Sequence, residues 1–214
     1  MNKNKAIAFG LVSTVFLSIN LLFNATPALA HHAMGGKLPS TFGAGFISGL
    51  AHPVIGIDHL AFVIAIGLLA ALSTNLGIMI PTAFVIATAV GTGIHLQSIN
   101  LPAPELIISA SVLLIGIFLA QKNQVNWSLL TGISAIAGIF HGYAYGEAIV
   151  GAQTSALGAY LLGFCLIQLG IAAIAFYLGK RVLNQPNKSI LWLRFVGFTV
   201  CGVGFTFLSN IVLG

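Results

Sequence analysis

Two short stretches gather the side chains able to do chemistry in an otherwise apolar chain: "AHPVIGIDHL" at 51–60 and "FHGYAYGEA" at 140–148. The first holds His52, Asp58 and His59; the second holds His141 and Glu147. Imidazole with carboxylate suits borderline divalent cations such as nickel, cobalt or zinc, whereas copper(I) favours clustered cysteine or methionine. Only three acidic residues exist, Asp58, Glu105 and Glu147. Glu105 stands beside Pro102 and Pro104 and reads as a solvated helix start. Asp58 and Glu147 fall inside apolar runs, where an ionisable group is costly and marks a pathway or site. The plain structural alternative is a hydrogen-bond network holding a kinked helix.

Spacing sharpens the question. His52 and His59 are seven residues apart, so a regular helix puts them on one face about 10 Å apart. That is too far for both to ligate one ion at about 2 Å. Either the Pro53–Gly56 region unwinds and brings them together, or they serve successive positions on a path. Asp58 can ligate directly or fix an imidazole from behind. Glu147 follows His141 at the same spacing that separates Asp58 from His52, again with glycine between. The twin motifs hint at an inverted repeat with its site at mid-membrane.

The elements that carry these motifs are membrane helices. Charged residues make up 5% of the chain, against about 25% in soluble domains. Apolar stretches run at roughly 41–72, 76–98, 104–120, 128–150, 154–178 and 190–212, all but the first near the length of about 20 residues that crosses a bilayer. The expected fold is therefore all-α and polytopic, with six transmembrane helices in one bundle over 31–214. Residues 1–30 read as a signal peptide: Lys3 and Lys5, an apolar run, then "ATPALA" with small residues at the cleavage positions. Cleavage sends the mature N-terminus outward. Lys122, Lys180, Arg181 and Lys188 then fall on the cytoplasmic side, as the positive-inside rule requires, and the C-terminus faces outward. The first stretch is too long for one straight span, and Pro53 disfavours helical geometry at His52. A break in the first helix near Pro53 is expected. Such irregularity is tolerated at membrane depth only where protein or a wet cavity receives it.

At these residues the sequence resembles the HupE/UreJ family of nickel/cobalt permeases. "HPVIGIDH" is similar to its first-helix signature and "FHGYAYGE" to its fourth-helix signature; the signal and six spans match as well. Many members carry histidine where this chain has Tyr145, with the acid one place beyond Glu147. The resemblance implies nickel or cobalt uptake across the inner (plasma) membrane of a bacterium, with His52, Asp58, His59, His141 and Glu147 as metal residues. The ion is then cargo, with no permanently bound cofactor. Expected partners are the ion, the lipid bilayer, and either further copies of the chain or a metalloenzyme-maturation pathway, but no nucleic acid. Rival readings are an intramembrane metal-dependent enzyme, which would need a metal-activated water, and a haem protein with His52 and His141 as axial ligands.

Lesser candidates surround the motifs. His31 and His32 would form a metal-collecting tip with the free amine after cleavage. His95 lies near the outer end of the second stretch, either as an entry ligand or as a histidine reaching water. Gln168 reads as interhelical glue, Tyr143 and Tyr145 as packing or path-lining aromatics, and Cys165 and Cys201 as small core residues. Ligation needs neutral imidazole, so uptake should fall below about pH 6.

Overall fold

The computed structural model describes residues 38–73, 76–121, 126–184 and 189–213, with side chains of the last helix from 191 onward. The signal peptide expected over 1–30, His31, His32, Lys122 and Lys188 lie outside these residues. All regular structure among the described residues is helical. The helices are α1 (Phe42–Ile55), α2 (Ile57–Leu72), α3 (Met79–Leu96), α4 (Pro104–Ala120), α5 (Trp127–Glu147), α6 (Thr154–Leu183) and α7 (Ser189–Leu213).

By length and composition, α3, α6 and Leu191–Leu213 of α7 can each cross a membrane, and α1 with α2 forms a fourth, broken candidate. Helix α4 is a shorter apolar helix of 17 residues, and α5 has 21 residues. Ile86, Ile136, Ile174 and Trp192 point outward, each more than 60% exposed, while four histidine and aspartate side chains are buried. Apolar outside with polar inside is the arrangement of a membrane protein, whose surroundings are lipid.

The break expected near Pro53 exists and falls at Gly56. Thr41 caps the start of α1, its Oγ1 accepting from Ala44 N at 3.2 Å. Pro53 stays inside α1; its fixed φ is helical, and what it removes is one N–H. The helix stops at Gly56, which is extended (φ −72°, ψ 100°) with its N–H returning to His52 O at 3.2 Å. Helix α2 then restarts with Leu60 N bonded to Gly56 O, bent 79° from α1. Glycine is required by close approach rather than by its dihedrals. A Cβ on Gly56 would lie 2.6 Å from Cδ2 of His59.

Glycines also let helices approach at backbone distance, the usual means of packing in a membrane. Helix α1 packs on α6, α3 on α5 and α4 on α7. Exchanging the first three stretches with the last three maps these interfaces onto one another. The chain displacement that carries His52 to His141 also carries Gly49 to Gly138. Gly49 sits on the backbone of Tyr160 in α6, and Gly138 on that of Phe84 in α3. In the same way Gly116 of α4 meets Cys201 of α7, and Gly204 of α7 meets Leu113 of α4. This pairing of interfaces is the pattern that an internal repeat would produce. Helix α2 stands among α3, α4, α5, α6 and α7, so the break opens into the middle of the bundle.

Candidate metal site

Four polar side chains from both motifs are buried: His52 at 2% exposure, Asp58 at 6%, His59 at 3% and His141 at 0%. The bend at Gly56 tilts the first turn of α2 toward the end of α1. The rings of His52 and His59 are thereby 6.1 Å apart, closer than the separation of about 10 Å on an unbroken helix. Asp58 sits in the first turn of α2. Its Oδ1 accepts the His59 backbone N–H at 2.9 Å, and the positive end of the α2 dipole favours a carboxylate there.

Helix α5 supplies His141, whose Nδ1 lies 2.7 Å from Nδ1 of His59. Its Nε2 lies 3.1 Å from Ser111 Oγ on α4. Ser111 Oγ is itself 2.7 Å from Ile108 O. Phe62 and Phe84 enclose the His141 ring at 4.6 and 5.4 Å. On the opposite side, Tyr160 OH of α6 lies 3.0 Å from His52 Nδ1 and 2.9 Å from Tyr145 O. The Tyr145 ring meets both His52 (5.0 Å) and His59 (4.7 Å) edge-on. Tyr145 is fully buried, and its hydroxyl has no hydrogen-bond partner among the described residues. An unsatisfied buried hydroxyl costs about 1–3 kcal/mol, so this phenol beside two imidazoles marks a polar spot in the site.

The structure gathers His52, Asp58, His59 and His141, and leaves Glu147 out. Glu147 is the last residue of α5 and is exposed. His95 is partly buried near the end of α3, its ring 4.3 Å from Tyr143 and its Cβ beside Gly146. Its Nδ1 has no hydrogen-bond partner among the described residues. Gln168 is fully buried between α6 and α3, its amide on Phe164 O (3.0 Å) and Thr88 Oγ1 (3.5 Å), as interhelical glue would be. Cys165 and Cys201 are separate free thiols. Tyr160 and Ser111 were not among the sequence candidates. Their only signal was a hydroxyl within a largely apolar segment, shared with Ser109 in α4 and Tyr177 in α6.

Among the described residues, no group of three or more His, Cys, Asp or Glu side chains is arranged so that it could hold a metal ion. One reason is visible: both nitrogens of His141 already have partners. A haem bound between His52 and His141 would have to part His141 from His59, Ser111 and the two phenylalanines. The chemistry at hand is that of buried imidazoles and a carboxylate gathered at a helix break.

Apolar helices around a buried imidazole–carboxylate cluster define a membrane protein. The model described as "HupE / UreJ protein" matches residues 19–207, and the chain belongs to that family. It is similar to Protein HupE of Rhizobium leguminosarum bv. viciae, with 28% identity over 169 residues, covering 75% of this chain and 85% of that protein. No solved structure matches.

Proposed function

We propose that the chain is an ATP-independent permease that takes up a divalent transition-metal ion, nickel or cobalt, through a six-span bundle. The observation that carries this reading is the burial of His52, Asp58 and His59 at a 79° break in an apolar helix. Discontinuous helices near mid-membrane are where transporters place ion sites. The donor types suit nickel and cobalt. An incomplete donor set suits cargo, which must leave as readily as it enters. Asp58 stands in the first turn of α2, the end of a helix at which a carboxylate is favoured. Membership of the HupE/UreJ family supports the same reading. The first ligands are His52, His59 and Asp58, with His141 behind His59. In this proposal the signal peptide is removed, both mature termini face outward, and the membrane is the bacterial inner membrane.

The test is uptake of radiolabelled nickel and cobalt at nanomolar concentration into cells lacking their own transporters. Wild type is compared with His52→Ala and Asp58→Ala at matched membrane levels. Uptake by wild type and its loss in both variants is expected, and the preferred ion names the substrate. A well-expressed wild type that takes up neither ion sinks the proposal.

A further inference from the structure

We infer that Tyr160 and Ser111 are positioning residues that set His52 and His59 in one and the same tautomer, proton on Nδ1 and lone pair on Nε2. Neither residue belongs to a motif. The inference follows from counting protons along two hydrogen-bond relays, each ending on a backbone carbonyl.

The first relay runs from His52 to Tyr160 to Tyr145 O. A carbonyl only accepts, and a phenol has a single proton. Tyr160 OH therefore donates to Tyr145 O at 2.9 Å. It can then only accept from His52 Nδ1 at 3.0 Å, so His52 carries its proton on Nδ1. The second relay runs from His59 through His141 and Ser111 to Ile108 O. Ser111 Oγ–H donates to Ile108 O at 2.7 Å, so Oγ accepts from His141 Nε2 at 3.1 Å. A neutral His141 with its proton on Nε2 presents a lone pair at Nδ1. His59 must then donate from its own Nδ1 across 2.7 Å.

In the neutral rings that ligation requires, both relays thus leave the lone pair on the same atom, Nε2, of the two imidazoles that flank the break. The arrangement differs from a site in which all three histidines ligate: His141 fixes the ring of His59, as Tyr160 fixes that of His52. Orienting partners of this kind are typically worth 10–100-fold in metal affinity. The role toward metal rests on the proposed function; the tautomers do not.

The test uses full-length, metal-free protein in lipid bilayers, with histidine ring nitrogens labelled with ¹⁵N and assigned by replacing each histidine in turn. Solid-state NMR should show Nδ1 protonated and Nε2 unprotonated in both His52 and His59. Tyr160→Phe should disturb His52 alone. Ser111→Ala should disturb His141 and His59 together, and Ser111→Thr, which keeps the hydroxyl, should restore them. Cobalt titration by visible absorption should show binding roughly 10–100-fold weaker in Tyr160→Phe and Ser111→Ala, with recovery in Ser111→Thr. Protonated Nε2 in wild type, or ring nitrogens unmoved in both variants, overturns the inference. If wild type binds cobalt and both variants bind it equally well, the positioning role falls while the proposed function stands. If wild type binds neither cobalt nor nickel, the proposed function falls and the nitrogen signals still decide the tautomers.

Discussion

The first and fourth stretches carry matching motifs and fold differently. In the first, the chain breaks at Gly56 and turns by 79°, and Asp58 is buried beside His59. In the fourth, α5 continues without a break to Glu147. Six residues along a regular helix place two side chains about 120° apart around the axis. With His141 facing the core, Glu147 must face away, and it is exposed. Asp58 would share that fate if α1 ran on. Equal spacing in the sequence therefore becomes a donor pair in one stretch and a separated pair in the other, and the backbone break makes the difference.

The largest effect that separates the two stretches is in the acids. Asp58→Ala should reduce metal uptake roughly a hundredfold, because the proposed site loses its buried carboxylate. Glu147→Ala should stay within about twofold, since an exposed side chain gives up little. Both are read by radiolabelled uptake at matched membrane levels. Equal losses in the two variants would break the comparison, and would mean that α5 also opens during transport.

The next effect concerns the break itself. Gly56→Ala should lower uptake roughly tenfold, since its Cβ would lie 2.6 Å from the His59 ring and must push that ring aside. Gly132→Ala is the matched control on α5, with none of the described residues within 4 Å of the added methyl, and should leave uptake unchanged. Gly142 stands where Pro53 stands in the first motif, and there the added methyl would run into the Thr88 backbone. Gly142→Ala should therefore lower thermal stability in detergent, by about 1–3 kcal/mol, through loss of α3–α5 packing. Its primary readout is the melting midpoint.

The helices were legible because hydropathy marks them directly: the third stretch was expected at 104–120, and α4 is Pro104–Ala120. The break was legible only as a neighbourhood. Proline announces a missing donor, but the space His59 needs at Gly56 depends on where that ring packs after the bend. Burial of His52, Asp58, His59 and His141 followed from their cost in lipid. The exposure of Glu147 did not follow, because spacing says where a side chain points only once the helix is known to be continuous. Tyr160 and Ser111 stayed hidden because their partners lie far along the chain, 108 residues for Tyr160 with His52 and 30 for Ser111 with His141. Packing of separate helices made those pairs.

Tyr145 gives the smallest effect and the finest test of the comparison. The displacement that pairs the motifs puts Tyr145 opposite Gly56, so one stretch has its break where the other has a bulky ring. That ring fills the space beside His52 and His59, while its hydroxyl is buried with no hydrogen-bond partner among the described residues. Tyr145→Phe keeps the ring and removes only the unsatisfied oxygen. If Tyr145 serves purely as packing, the variant should be more stable by about 1 kcal/mol, seen as a higher melting midpoint in metal-free protein. Uptake should then change less than in Gly56→Ala, because both imidazoles keep their neighbours. A lower midpoint would show that the hydroxyl already has a role in the resting bundle. In that case the unbroken stretch contributes a polar group to the site in its own right, and the two stretches differ in what they supply rather than in whether they supply it.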